Sequence, residues 1–122
     1  IMLGYFTKYG DGAGDIMPIG DLYKTDIRKL GKNLLLPGSI LRQPSSPRLW
    51  PGQTAEAELG LKYEEIDTIL RLREIGALDR CTLQRNKILN VCRRVEQSYH
   101  KRELPPICKL KMLESKSHGI LI

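Results

Sequence analysis

Tyr5-Phe6-Thr7-Lys8-Tyr9-Gly10-Asp11-Gly12-Ala13-Gly14-Asp15, continued by Pro18-Ile19-Gly20-Asp21-Leu22-Tyr23-Lys24-Thr25, is the most informative stretch of this chain. Three glycines alternate with acidic and small residues, and Lys8 and Lys24 flank them. Glycine at this density frees the backbone for positive φ and allows a ligand close to main-chain N–H groups. Gly10, Gly12 and Gly14 do not match the dinucleotide spacing, Tyr23 stands where a P-loop needs glycine, and Ala13 offers no side-chain oxygen to a calcium loop. Two readings of the loop stay open on these grounds: a backbone cradle for a phosphorylated ligand, and a tight surface turn.

Downstream of the loop the apolar spacing is helical. Tyr23, Ile27, Leu30 and Leu34 predict a first helix over residues 25–35, started by Asp21 as cap and ended at Pro37-Gly38. Prolines at 37, 44, 47 and 51 then break any long element, with room for a short turn at 39–41 and a loop carrying Trp50 over a surface. Residues 53–60 predict one acidic helical turn closed by Gly60. Residues 63–73 predict a second long helix, with Glu64 and Glu65 in its first turn and Arg71 and Arg73 in its last, as the helix dipole favours. Ile88, Val91, Cys92, Val95 and Tyr99 predict a third over 82–99, stopped by Pro105-Pro106. Nothing in the periodicity indicates a sheet. From Ile107 the tail alternates weakly, and strand, docked tail and disorder are all open.

With 122 residues, 41% apolar and 28% charged, the chain fits one small globular domain. Its opening, Ile1-Met2-Leu3-Gly4, lacks the pattern of a signal peptide, and apolar runs such as Leu34-Leu35-Leu36 are too short to span a bilayer, so a cytoplasmic protein without membrane contact is expected. Cys81, Cys92 and Cys108 form no Cys-x-x-Cys pair, and Cys81 and Cys92 read as small buried thiols rather than metal ligands. The net charge of +6 is uneven: seven Lys and Arg face six Asp and Glu in residues 1–61, against thirteen and eight in residues 62–122. A basic half suits an anionic partner or a solvated helix face. His100-Lys101-Arg102 concentrates it after a helix C-terminus, as a cationic cap or a phosphate clamp. Neither His100 nor His118 has a local nucleophile signature for triad hydrolysis.

Residues 5–25 as a whole resemble the NAD synthetases, amide-forming ligases of the ATP-pyrophosphatase group. Leu49-Trp50-Pro51-Gly52-Gln53-Thr54 with Glu56-Ala57-Glu58-Leu59-Gly60, then Tyr63-Glu64-Glu65-Ile66-Asp67, then His100-Lys101-Arg102 with Pro105-Pro106, are similar to the same family's successive blocks. The resemblance covers residues 1–108 in order and leaves 109–122 as a tail. It implies the C-terminal, mostly helical part of an α/β, Rossmann-like fold of the adenine-nucleotide alpha hydrolase type. It also implies an enzyme that makes NAD+ from deamido-NAD, ATP and ammonia through an adenylated intermediate with Mg2+, and a homodimer. By position, Lys8, Asp15, His100 and Lys101 match deamido-NAD contacts, and Lys24 and Ser46 match ATP contacts.

The family's Ser-Gly-Gly-x-Asp-Ser loop, which grips pyrophosphate and supplies a magnesium carboxylate, is missing from these residues. So are the Thr and Glu that precede the matched blocks. Gln43 stands where a lysine is common, and Ser45-Ser46-Pro47-Arg48 replaces a Pro-Ser-Ala run, so a weaker ATP contact is expected there. The chain therefore reads as the C-terminal half of a longer enzyme, inactive by itself, with its magnesium ligands upstream. An attached glutaminase domain would lie upstream too. The rival reading is a basic helical module for nucleic acid or a partner protein. It lacks the aromatic interleaving that single-strand binding uses. A degenerate homologue that only joins a full-length enzyme is the third.

Overall fold

The structure is a computed structural model that describes residues 1–109. Its regular elements are all helical: α1 (Lys24–Asn33), α2 (Gly38–Leu41), α3 (Ala55–Leu59), α4 (Tyr63–Glu74) and α5 (Arg85–Gln97), with 3-10 turns at Asp11–Ala13, Leu78–Arg80 and Tyr99–Lys101. Among the described residues there is no strand, in keeping with the mostly helical part of an α/β fold. The expectations for the tail fall outside the described residues from position 110 onwards.

Helix α4 is the hub, because it is the element with apolar residues on more than one side. Ile66, Ile69 and Leu70 are buried with Leu59 and Leu61 before them and Val91 and Val95 of α5 across from them. Leu3, Tyr23, Tyr63, Leu78, Cys81, Leu83 and Ile88 pack around this centre. Each fully buried Val, Leu or Ile contributes about 1.5–3 kcal/mol, so this cluster is the main source of cohesion. The N–H of Lys62 donates to Glu65 Oε2 at 3.1 Å, and the N–H of Tyr63 to Glu56 Oε1 at 2.8 Å, which starts α4 and ties it to α3. Lys87 of α5 pairs with Glu65. That contact first, then the Lys62 N–H, holds the Glu65 carboxyl below its ordinary range.

The short α3 is as expected: Thr54 Oγ1 accepts from the N–H of Ala57 at 3.2 Å, and Gly60 ends the helix in the left-handed region at φ +68°. The turn expected at 39–41 is α2. Two expectations need correcting. Asp21 does not cap α1; the N-cap is Tyr23, with no side-chain cap of its own. The apolar stripe of α1 is also only partly covered. Helix α1 packs on α4 and, more lightly, on α2, while Leu30 and Leu34 stay exposed and Leu35 is 89% exposed with φ +55°.

Helix α5 begins at Arg85 rather than 82, since Leu78–Arg80 is a separate turn and Cys81 is extended. It ends at Gln97, so Tyr99 lies in the tighter following turn and points outward at 59% exposure instead of extending the apolar stripe. Cys81 and Cys92 are half-buried and Cys108 is exposed. Trp50 is more than half exposed. No helix among the described residues is long and apolar enough to cross a membrane.

Candidate functional site

Two stretches more than ninety residues apart in sequence meet at one end of the molecule. The ammonium of Lys8 donates to the carbonyl of His100 at 2.7 Å. In return the ammonium of Lys101 donates to the carbonyls of Gly4 at 2.7 Å and Phe6 at 2.9 Å, and lies 5.6 Å from the centre of the Phe6 ring. Arg102 reaches the carbonyl of Met2 at 2.9 Å, the hydroxyl of Ser98 at 2.9 Å and the carbonyl of Val95 at 2.7 Å. Three consecutive residues after α5 thus hold the first eight residues in place. The 3-10 turn makes this possible by rotating His100, Lys101 and Arg102 off the helix axis towards the N-terminal segment. His100 itself is exposed, with Nδ1 3.0 Å from the carbonyl of Gln97.

Gly4 is the point of closest approach. Its φ is +66°, and a Cβ built there would stand 2.1 Å from Cβ and 2.8 Å from Oγ of the buried Ser98. Only glycine fits that backbone against that helix end.

The glycine-rich loop folds as a tight turn. The N–H groups of Gly10 and Gly12 both donate to the carbonyl of Thr7, at 3.1 and 3.3 Å, and the N–H of Ala13 to that of Gly10 at 3.0 Å. Positive φ among the glycines falls at Gly4, Gly52, Gly60 and Gly76 and not within the loop. Small side volume is what the loop uses: a Cβ on Gly12 would press on the Phe6 ring at 3.3 Å. What the loop presents outward is side chains, the exposed Asp15 among them, on a base fixed by Lys8 and Lys101.

Lys24 lies elsewhere, at the first residue of α1, on an open cleft of about 620 Å3. Tyr23, Asp26, Tyr63, Asp67 and Arg71 share that cleft. The Lys24 ammonium sits 5.9 Å from the centre of the Tyr63 ring, and the Arg28 guanidinium lies 5.6 Å from the same ring. Arg71 stacks on Tyr23 at 4.3 Å and pairs with Asp26. The Tyr23 hydroxyl donates to Glu74 Oε2 at 2.9 Å. Burial, with the Glu74 carboxylate second, pushes the Tyr23 hydroxyl up to about 12. Asp67 is 4% exposed and accepts the N–H of Thr25 at 2.8 Å.

Ser46 lies in a third place, a hollow of about 560 Å3 lined with Gln43, Pro44, Trp50 and Gln53. Its Oγ accepts the N–H of Arg48 at 3.0 Å, within a turn where Arg48 adopts φ +56°. Gln53, buried, accepts from the N–H of Leu49 at 2.8 Å and donates to Glu58. Glu58 also receives the Tyr5 hydroxyl at 2.9 Å. Desolvation and this carboxylate raise the Tyr5 pKa. Gln43 and Ser46 are thus neighbours in one hollow.

The structure brings Lys8, His100 and Lys101 into one cluster and keeps Lys24 and Ser46 in separate hollows. Sequence reading placed Tyr63, Asp67 and Arg71 on a helix but gave them no site role. The signal for Asp67 was present, as an acid set between Ile66, Ile69 and Leu70 on an otherwise apolar face. Many cations of the basic half are engaged in internal ties: Arg71 with Asp26, Lys87 with Glu65, Arg94 with Asn90, and Lys101 and Arg102 with backbone carbonyls. Among the described residues no three His, Cys, Asp or Glu converge as a metal site.

A helical assembly with cationic loops gathered round it, rather than a stand-alone enzyme pocket, is the class of object these observations define. The NAD synthase family matches residues 1–105, and the chain belongs to it. It is 49% identical over 118 residues to the NH3-dependent NAD+ synthetase of Sulfurisphaera tokodaii, covering 90% of this chain and 42% of that protein. To the enzyme of the same name from Archaeoglobus fulgidus it is 48% identical, covering 93% of this chain and 44% of that one. In fold it is similar to an NMN synthetase from Francisella tularensis, with a TM-score of 0.75 and 38% identity over 89% of this chain and 42% of the other. The chain spans less than half the length of the relatives it matches.

Proposed function

We propose that these residues are the C-terminal part of an NAD synthetase, which forms NAD+ from deamido-NAD, ATP and ammonia. The observation that carries this reading is the near-50% identity, over nine-tenths of the chain, to relatives named NH3-dependent NAD+ synthetase. In the reaction an oxygen of the nicotinate carboxylate attacks the α-phosphorus of ATP and pyrophosphate leaves. Ammonia then attacks the acyl carbon, AMP departs, and the amide loses a proton. Adenylylation turns a poor leaving group into a good one. The protein's part is to hold the two nucleotides together and to meet charge on the phosphates with cations.

On this chain Lys24 and Ser46 are read as ATP contacts, and Lys8, Asp15, His100 and Lys101 as deamido-NAD contacts. Two of the three N–H groups of the Lys101 ammonium go to the carbonyls of Gly4 and Phe6, so its role includes fixing the loop that carries Lys8 and Asp15. The magnesium implied by the resemblance is assigned no ligand here, since the described residues offer no converging set, and no step is routed through it. The homodimer and the cytoplasmic location rest on the resemblance. Residues 1–122 by themselves are expected to be inactive, because half of an adenylation site cannot orient ATP.

The test expresses the reading frame that carries this chain from its own first codon and measures NAD+ from deamido-NAD, ATP, magnesium and ammonia. Nicotinate mononucleotide is run in parallel because one relative is an NMN synthetase. NAD+ turnover supports the reading. No turnover with deamido-NAD sinks it, and turnover by residues 1–122 alone sinks the claim of inactivity. Lys24→Ala is expected to raise KM for ATP roughly tenfold or more, as for loss of a charge-assisted hydrogen bond worth at least ~1.5 kcal/mol.

A further inference from the structure

Asp67 is a buried acid that packing does not require. It sits on α4 with the buried Ile66, Ile69 and Leu70 beside it and is itself 4% exposed. A carboxylate taken out of water is costly unless it is bonded, and an apolar residue would suit this face better. Its observed partner is the N–H of Thr25, at 2.8 Å, in the first turn of α1. Helix α1 has no side-chain cap from its own N-cap residue, and an acid from another helix serves one donor of its first turn, the N–H of Thr25, at the positive end of its dipole. The backbone fixed in this way is adjacent to Lys24.

One turn earlier on the same face of α4, four residues before Asp67, stands Tyr63. Its ring faces the Lys24 ammonium at 5.9 Å and the Arg28 guanidinium at 5.6 Å. Arg28 is held in turn by Glu64 at 3.0 Å, so the cation pair over the ring is anchored from the α4 side as well. One helix therefore fixes the chain on either side of the Lys24 side chain, the following N–H of Thr25 through Asp67 and the ammonium through Tyr63. A free lysine side chain loses about 1.5–2 kcal/mol of rotamer entropy when it is ordered on a ligand, and a lysine already confined loses less.

We propose that Asp67 and Tyr63 are positioning residues that pre-set Lys24 for the phosphates of ATP. The proposal rests on the reading of Lys24 as an ATP contact. It is tested in the protein made from the whole reading frame, with KM for ATP, KM for deamido-NAD and melting temperature measured together. Asp67→Ala and Tyr63→Leu are each expected to raise KM for ATP about five- to tenfold and to leave KM for deamido-NAD within twofold. Asp67→Asn, whose amide oxygen still accepts from Thr25, and Tyr63→Phe, which keeps the ring, are expected to stay within about threefold of the parent. Added to Lys24→Ala, neither disruptive change raises KM for ATP further.

An unchanged KM for ATP in Tyr63→Leu and Asp67→Ala overturns the proposal. So does a parallel rise in both KM values that persists on the Lys24→Ala background, since that is general damage rather than positioning. Should Asp67→Ala not fold, the contrast between Tyr63→Leu and Tyr63→Phe decides in the same way. An active enzyme in which Lys24→Ala leaves KM for ATP unchanged overturns the reading of Lys24 itself, and the proposal falls with it.

Discussion

Substituting Gly4 by alanine tests the join between the N-terminal segment and α5. Two costs add at this position. Gly4 has φ +66°, and an L-residue in the left-handed region costs roughly 1–2 kcal/mol. The new Cβ would also stand 2.1 Å from Ser98 Cβ, and Ser98 cannot step aside freely. Its hydroxyl donates to the carbonyl of Met2 and accepts from Arg102, at 3.2 and 2.9 Å. Relief of such an overlap by backbone shift costs about 1–3 kcal/mol more. Gly4→Ala is therefore expected to lower stability by ~2–5 kcal/mol, a large part of what a small domain has. Gly52→Ala is the control, since φ there is +77° but nothing lies within 4 Å of the added carbon. It carries the backbone cost of ~1–2 kcal/mol alone. Urea unfolding of residues 1–122, followed by far-ultraviolet circular dichroism, gives both values. A third measurement isolates the contact: Ser98→Gly leaves only the Ser98 Cα, 3.5 Å away, and should recover the excess of Gly4→Ala over Gly52→Ala. Equal losses for the two alanine substitutions, with no recovery by Ser98→Gly, would refute the close approach.

Lys101→Met keeps the apolar stem of the side chain but removes both bonds to Gly4 and Phe6; it should cost ~1–3 kcal/mol and speed amide hydrogen exchange over residues 4–10. Tyr23 provides a pH signature. Its raised pKa means the folded state holds the phenolic proton more tightly than the unfolded chain, so this contribution is complete below pH 10 and is lost as pH rises from 10.0 to about 12. Melting temperature should fall less steeply over that range in Tyr23→Phe than in the parent, and parallel pH profiles would remove Tyr23 from the account.

Helix α4 was legible because its apolar spacing and terminal charges agree, α5 because of its apolar spacing, and α3 because Gly60 marks its end. Asp21 is next to α1 in sequence and has the chemistry of a cap, whereas the acid that bonds the first turn, Asp67, is forty-two residues from its partner and is placed there by tertiary packing. Tyr99 continued a helical period on paper, but the chain tightens after Ser98, and a 3-10 turn changes which way each following side chain points. Composition left the glycine-rich loop open between a cradle and a turn; Gly10 and Gly12 relieve crowding against Thr7 and Phe6 rather than reach positive φ. Gly4, whose backbone does need that freedom, stood outside the dense cluster and carried no local mark. The pairing of Lys8 with the segment after α5 came from resemblance to a family. No periodicity indicates a contact across ninety-two residues.

The loop that first draws the eye is therefore not what orders this chain. The N–H groups of Gly10, Gly12 and Ala13 turn back onto the loop's own carbonyls, and its lysine is tied to a carbonyl at the far end of the sequence. Helix α4 has the stronger claim. It packs on α5 through Ile66, Ile69 and Leu70, and it receives the start of α1 through Asp67. It also faces Lys24 and Arg28 with Tyr63, and holds Glu74 against Tyr23. A change at position 63 or 67 alters both a packing contact and the setting of a cation. On the ATP reading, function should be more sensitive to the half-buried Tyr63 and the buried Asp67 of α4 than to any single glycine of the loop, because the cation's geometry is decided by the helix behind it.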